Sequence, residues 1–456
     1  MLQINAWARP ETGNVGPVAA DLAARFLTAN RPWRSALHAP VVADPRNWRD
    51  PSVGWGLVLP DDNSPPGPGK SGLWPTDPEP LAALLAARGD APVLRWNRSG
   101  PAATLRRYSD NGSCQDVSWQ ALHYGTGPGQ IPRYLLICAA PSDIPWRVQY
   151  ALQFAHFTGR LDLAGAALQN HVDALVKNWT GAEADPQAQL LWAVVHNAAD
   201  ITWLLRATIT APLAEKLAAD GDYVPVFLTD AEADITRLVA GLAASKPALV
   251  VTSSHGATYP LGNAQSMRAQ LGLPVDNRHD LLDPAALLAA WNPDGAIWYA
   301  HACCSAGADG ASSFLDYLTP GSDVERVLQG VAECGAMTAP LPRALLGATR
   351  PLRAFVGHVE PTFDWTLRTP DTRQFMTMPL IETLYTRLFT GQPAGMALDA
   401  CRRASATLTG GYQHALEELA AGAAMKGALL RMQLAAKDWD SLVLLGDPAV
   451  TLAVAA

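Results

Sequence analysis

Ala248-Leu-Val-Val-Thr252 and Ala296-Ile-Trp-Tyr-Ala300 are the two apolar segments that decide the fold of this 456-residue chain. The first runs through two serines into His255-Gly256, and the second runs directly into His301-Ala-Cys-Cys304. Short runs that are apolar on both faces are typical of buried strands in a parallel sheet. The length between them suits one crossover connection, so the strands are predicted to be neighbours. Because ligands bind at the carboxyl ends of such strands, an imidazole and a thiol are predicted at one edge of the sheet.

Other parts of the chain predict an α/β protein with a mostly parallel central sheet flanked by helices. From residue 248 onward, strand-like and helix-like segments alternate, as right-handed crossovers require. Residues 186–220 have apolar spacing that predicts one or two helices, with Pro212 breaking them. Helices are also predicted from Leu163 to about Trp179 and opening at Thr229-Asp230. Four further strands are predicted at 134–139, 223–228, 353–357 and 441–445.

Composition and charge exclude several classes of function. Apolar residues make up 49% of the chain and charged residues 17%, which is typical of a soluble protein with a large core. The net charge is −8 and no run is rich in Lys or Arg, so neither nucleic acid nor a membrane surface is an expected partner. No window reaches the roughly 18 apolar residues of a membrane span, and the amino terminus lacks an export signal. A cytoplasmic protein with free thiols is expected.

No cofactor or metal is expected either. The six cysteines lack Cys-x-x-Cys spacing, and the ten histidines lack the His-x-x-x-His spacing of a helical zinc site. Neither of the glycine-rich nucleotide-binding motifs, Gly-x-Gly-x-x-Gly and Gly-x-x-x-x-Gly-Lys-Ser/Thr, follows a predicted strand.

The chain is predicted to have three parts. Residues 1–130 are rich in Pro, Gly and Trp and form a region that packs on a first, non-catalytic α/β subdomain at 131–220. Residues 221–456 form the second subdomain, which carries the imidazole and the thiol. The Pro- and Gly-rich stretch 61–72 is predicted to be an exposed loop, where a protease or self-cleavage would cut most easily.

Taken in order, these segments resemble the caspase-fold (clan CD) cysteine peptidases, nearest the gingipain-like branch and its bacterial relatives. The resemblance covers roughly residues 131–450 and implies a caspase-like fold with two side-by-side α/β subdomains. It is carried by five motifs: the strand ending in His255-Gly256, Ala302-Cys303 followed by Gly307, Tyr134–Ala140 with Gly159-Arg160, Phe355-Val-Gly-His-Val-Glu360, and Leu445-Gly-Asp-Pro448.

The resemblance implies a division of labour in peptide hydrolysis. Cys303 would attack the scissile carbonyl as a thiolate, and His255 would protonate the leaving amine as general acid. The amides of Gly256 and Cys303 would stabilise the oxyanion. Cys304 is the alternative nucleophile, because a Cys-x-x-Gly reading of the motif selects it. Side chains alternate along an extended segment, so only one of the two thiols can face the edge of the sheet.

Further residues are candidates for the substrate cleft. His358, Glu360 and Trp365, with Phe363, follow a neighbouring predicted strand, and Asp143 lies in the turn after the first. His301 is expected to be a core or supporting residue. The resemblance implies protein or peptide substrates, with cleavage after Arg slightly favoured, an activating protease or regulatory partner, and a role in bacterial stress or defence.

A non-catalytic protein is the competing interpretation. A caspase-fold scaffold or regulated binding module would use the same cysteines for structure alone, because a Cys at a strand end is usually a small buried hydrophobe.

Overall fold

A twelve-stranded sheet forms the central layer of the computed structural model, which describes residues 43–61, 72–312, 314, 319–369, 372–420 and 426–453. The strands within these residues, including two short ribbons outside the main sheet, are β1 Trp55–Pro60, β2 Val93–Trp96, β3 Thr104–Tyr108, β4 Cys114–Ser118, β5 Tyr134–Cys138, β6 Phe157–Leu161, β7 Asp185–Ala193, β8 Val224–Thr229, β9 Pro247–Ser253, β10 His255–Gly256, β11 Pro274–Val275, β12 Ile297–His301, β13 Gly307–Ala308, β14 Met337–Thr338, β15 Ala354–His358 and β16 Leu442–Gly446.

The strand order of the sheet is β4-β3-β2-β1-β5-β6-β16-β15-β12-β9-β7-β8. Strands β15, β12, β9, β7 and β8 are parallel to one another, and so are β2, β1, β5 and β6. At one edge of the sheet, β3 pairs antiparallel with both β2 and β4. β16 joins the two groups: it pairs antiparallel with β15 and through a single parallel bridge with β6. The predicted fold class, α/β with a mostly parallel sheet flanked by helices, is confirmed and is consistent with a caspase-like fold.

Helices cover both faces of this sheet and connect its strands. Several begin with Pro in the first turn, where its missing N–H costs no hydrogen bond. Their bounds are α1 Pro80–Ala87, α2 Trp146–Leu152, α3 Gly165–Val176, α4 Ile201–Leu205, α5 Ala211–Ala219, α6 Ile235–Ser245, α7 Ala264–Gln270, α8 Pro284–Ala290, α9 Asp323–Glu333, α10 Pro340–Leu346, α11 Met378–Ile381, α12 Ala394–Ala397, α13 Asp399–Ala420 and α14 Lys426–Ser441.

Burial on both faces explains the apolar runs. Every residue of β9 and β12 is buried. Leu249 and Val251 pack into the core on one face of the sheet, while Val250 between them packs into the core on the other. This period of two is what a strand with helices on both sides requires.

The prediction for residues 186–220 is wrong in its first part. Asp185–Ala193 is strand β7, whose residues from Ala188 onward are buried, and helices α4 and α5 come only after it. A short run that is apolar on both faces fits a buried helix and a buried strand equally, and here β7 lies between two other strands. Pro212 does not break a helix; it lies in the first turn of α5.

The amino-terminal region contributes to the same sheet. Strands β1 to β4 extend it beyond β5, and residues from Ala43 onward form one compact unit. The proposed divisions near residues 130 and 220 stay predictions. Most of the expected cleavage loop at 61–72 lies outside the described residues. Within the described part of the chain, no helix is both long and apolar enough to cross a membrane.

Candidate active site

Three neighbouring strands deliver polar side chains from their carboxyl ends. In the order β12-β9-β7, Cys303 follows the first, His255 follows the second, and His196 and Asp200 follow the third. The strands are parallel, so these loops lie at one edge of the sheet. The predicted neighbourhood of the His and Cys strands is therefore confirmed.

Asp200 orients the imidazole of His255. Its Oδ2 lies 3.1 Å from Nε2 of His255, and both side chains are partly exposed. With Nε2 donating to this carboxylate, Nδ1 of a neutral ring is the nitrogen that can accept a proton. Asp200 is itself fixed as the N-cap of α4, where its Oδ1 accepts from the amide of Thr202. Burial alone would raise the pKa of Asp200, but the bonds from Thr202 and His255 hold it below its usual value.

Two more imidazoles, those of His196 and His279, form a stack with the ring of His255. The ring of His196 lies nearly parallel to that of His255, with centroids 5.3 Å apart, and its other face stacks on His279 at 4.6 Å. Burial lowers the pKa of His196, and the neighbouring imidazoles His255 and His279 lower it further. A neutral His196 therefore packs against His255 without adding positive charge.

Cys303 presents a half-buried thiol. Within the described residues, the hydrogen bonds of its Sγ are both with the Thr362 backbone: the amide donates at 3.4 Å, and the carbonyl oxygen accepts at 3.8 Å. Burial raises the pKa of Cys303, and the Thr362 amide partly opposes that effect. The thiol is thus the resting form here, and a base has to remove its proton before it can act as a nucleophile.

The backbone after His255 packs directly on the peptide of Cys303. A Cβ placed on Gly256 would lie 1.9 Å from the carbonyl oxygen of Cys303 and 2.9 Å from its carbonyl carbon. Only glycine allows this approach. The candidate imidazole and the candidate thiol are therefore held in a fixed relation through their backbones.

Cys304 lies in a different environment. Its φ is +56°, a left-handed conformation that is rare for a residue with a side chain. The side chain is fully buried in an apolar cluster, and its amide donates to the carbonyl of Glu360. Burial raises the pKa of Cys304 well above its usual value, and the nearby Cys303 and Glu360 raise it further. Of the two predicted nucleophiles, the structure leaves only Cys303 partly accessible.

The cleft candidates after β15 have separate environments. His358 is buried and packs edge to face on the equally buried His301, with ring centroids 4.8 Å apart. Glu360 is also buried, and its carboxylate accepts from the hydroxyl of Ser312. Trp365 is half-buried and stacks on Phe363 at 4.2 Å.

Asp143 lies elsewhere, among residues of the first strands. It is exposed and lines a cavity of about 400 Å³ that Cys303 and His255 do not line. The structure therefore does not bring Asp143 together with the thiol. In the described part of the chain, no cluster of three or more His, Cys, Asp or Glu side chains is arranged to hold a metal ion.

Sequence reasoning missed Asp200, His196 and His279. The usable signal was the apolar run Leu190–Val195 followed by Asp200-Ile-Thr202, which is a strand, a loop and an N-capped helix. The helix prediction for residues 186–220 hid this loop and with it the partner of His255.

Comparisons with known proteins add one finding. No family model matches the chain, and no curated protein matches its sequence. A solved structure described as "Structure of Protease" is similar over 88% of this chain and 78% of that one, at 12% identity and a TM-score of 0.48.

Proposed function

We propose that this protein is a cysteine endopeptidase in which Cys303 is the nucleophile and His255 the proton carrier. The observation that carries the proposal is that Asp200, His255 and Cys303 follow three adjacent parallel strands at one edge of the sheet. In addition, Gly256 packs directly on the Cys303 peptide. A nucleophile, a base and a group that orients the base are the parts that acyl transfer through a thiol requires.

The reaction follows from this geometry. Nδ1 of His255 takes the proton of the Cys303 thiol as the sulfur forms a bond to the scissile carbonyl carbon. The carbonyl π electrons move to oxygen, and amides near Gly256 and Cys303 stabilise that oxyanion by about 3 kcal/mol per donor. Collapse breaks the C–N bond, and the imidazolium gives its proton to the leaving amine. Water then hydrolyses the thioester, with His255 as base.

Asp200 supports the charge that appears during this cycle. The His255 ring becomes positive when it takes the thiol proton, and the carboxylate at Nε2 stabilises that cation. The raised pKa of the Cys303 thiol makes this help more important, because the proton has to leave a poorly solvated sulfur.

The setting of the enzyme is part of the proposal. All six cysteines are unpaired, which fits a reducing compartment such as the cytoplasm. The substrates are proteins or peptides, and the family resemblance favours arginine before the cleaved bond. An activating protease or regulatory partner, and a role in bacterial stress or defence, belong to the same resemblance.

The experiment that tests the function compares wild type, Cys303→Ala, Cys304→Ala and His255→Ala on a mixed fluorogenic peptide library. Cleavage by wild type and Cys304→Ala, with none by the other two variants, is the expected result. It would also reveal the preferred residue before the cleaved bond. Loss of cleavage only in Cys304→Ala and His255→Ala would show that Cys304 is the nucleophile.

One observation favours a second candidate function, a regulated binding module. In the described residues the Cys303 sulfur is held by the Thr362 backbone rather than by an imidazole, and its pKa is raised. If wild type cleaves nothing, a thiol-directed probe separates the cases. Selective labelling of Cys303 indicates a latent enzyme, whereas no labelling indicates a module whose cysteines are structural.

A further inference from the structure

A buried polar cluster lies next to the Cys303 loop and has no part in the mechanism described so far. It is formed by Tyr299 and His301 of β12, His358 of β15, and Asp438 and Ser441 at the end of α14. The hydroxyl of Tyr299 lies 2.7 Å from Nδ1 of His301, and Nδ1 of His358 lies 3.2 Å from the hydroxyl of Ser441.

The cluster lowers the stability of the folded state, because it buries polar atoms that make no hydrogen bond. Among the residues that the structure describes, Oδ1 of Asp438 and the Nε2 atoms of both imidazoles have no hydrogen-bond partner. Oδ1 lies 3.8 Å from Nδ1 of His358, which is beyond hydrogen-bond distance. Moreover, an acid in the last turn of a helix faces the negative end of the helix dipole. Neither helix stability nor core packing accounts for a fully buried Asp438.

The other carboxylate oxygen points to a reason. Oδ2 of Asp438 accepts from the hydroxyl of Thr366 at 2.9 Å and from the amide of Phe363 at 3.4 Å. The Phe363 amide belongs to the peptide unit whose carbonyl is that of Thr362, and the Thr362 carbonyl and amide hold the Cys303 sulfur. One peptide unit therefore separates the buried carboxylate from the thiol.

We propose that Asp438 is a positioning residue for the Cys303 thiol, acting through the segment Thr362–Thr366. The carboxylate fixes this segment against α14, and the segment in turn holds the sulfur in place. The inference rests on the proposed role of Cys303, and it adds a residue on the side of the thiol away from the His255 stack.

The charge of Asp438 also affects the Cys303 thiol. A negative Asp438 disfavours a thiolate at Cys303 and raises its pKa. Burial raises the pKa of Asp438 itself to about 7, so its charge changes near neutral pH. The other titratable or charged groups around it come from β12, β15, the segment after β15, and α13: Tyr299, His301, His358, Glu360, Asp364 and Arg402.

Two substitutions separate position from charge. Asp438→Asn keeps an oxygen that accepts from Phe363 and Thr366 but removes the charge. Asp438→Ala removes both. Asp440→Asn is the matched control, because Asp440 lies on the same helix, is half-buried and accepts from the hydroxyl of Ser405 instead.

The first measurement is the rate at which iodoacetamide alkylates Cys303 as a function of pH, followed by peptide mass mapping. Asp438→Asn is expected to alkylate about threefold faster than wild type at pH 7.5, which corresponds to a thiol pKa lower by half a unit. Asp440→Asn is expected to match wild type. Equal rates in all three proteins, or equal changes in both variants, would overturn the charge effect of Asp438 on the thiol, while the positioning role is tested by Asp438→Ala.

The second measurement is peptide cleavage. Asp438→Ala is expected to lose at least about tenfold in kcat with a smaller change in KM, while Asp438→Asn stays within about threefold of wild type. If Asp438→Ala does not fold, Thr366→Val loosens the same segment without burying a new polar group. A wild-type kcat in Thr366→Val would count against the inference. If wild type itself cleaves nothing, whether as a latent enzyme or as a binding module, the alkylation rate of Cys303 in Asp438→Ala is compared with that in Asp438→Asn: a difference between the two supports the positioning role, and equal rates overturn it.

Discussion

Gly256 offers the sharpest test of how His255 and Cys303 are held together. In Gly256→Ala the new Cβ would lie 1.9 Å from the carbonyl oxygen of Cys303, whereas real Cβ contacts essentially never fall below 3.0 Å. The two segments therefore have to separate by about 1 Å. Both contacting groups are backbone, so no flexible side chain can absorb the shift.

A displacement of that size has a definite kinetic cost. Misplacing a catalytic group by about 1 Å costs about a hundredfold in rate, or about 3 kcal/mol in the barrier. We expect kcat/KM of Gly256→Ala to fall by this factor. The assay is cleavage of the best peptide from the library, with the melting temperature measured on the same samples.

Gly221→Ala is the matched control, since a Cβ on Gly221 meets no atom within 4 Å. It is expected to keep wild-type activity. If Gly256→Ala melts like wild type and keeps more than half of its kcat/KM, the close approach of the two segments is not what positions the thiol, and the argument is refuted.

Three further outcomes are expected. Asp200→Ala removes the carboxylate that accepts from Nε2 of His255 and should lower kcat about a hundredfold. The control is Asp222→Ala, at an exposed residue, and equal kcat values in the two variants would contradict the orienting role. Cys304→Ser places a hydroxyl in an apolar cluster and should cost about 1–3 kcal/mol in urea unfolding while cleavage continues; an unchanged unfolding midpoint would speak against that burial. Burial lowers the pKa of His171 to about 4, so the folded state gives up stability as pH falls from about 6.5 towards 4. In His171→Gln this loss should be about 3 kcal/mol smaller than in wild type, and parallel stability curves would refute it.

The sequence predicted those parts of the site whose burial has a simple signature. Strands β9 and β12 are apolar on both faces, so Ala248–Thr252 and Ala296–Ala300 could be recognised as neighbours without any structure. The position of His255 and Cys303 at one edge of the sheet follows from the same signature, while their catalytic roles stay predictions.

The sequence did not predict what depends on backbone conformation or on the choice between a helix and a strand. The apolar run in β7 fits both, and Asp200 was missed with it. Cys304 is buried because its backbone has a positive φ, and the neighbouring residues in the sequence do not indicate this conformation. The link from Asp438 to Thr362 joins residues far apart in the chain, and the carboxylate has no local signal in α14.

Strand β16 has a consequence for the synthesis of the chain. It fills the gap between β6 and β15, yet the ribosome makes it after the other strands in the described residues. Until Leu442–Gly446 emerges, both neighbours have open edges. Open edges favour pairing with other chains. A nascent chain of this protein therefore keeps two open strand edges until synthesis has passed β16, and pairing of those edges with other chains is a hazard during that time.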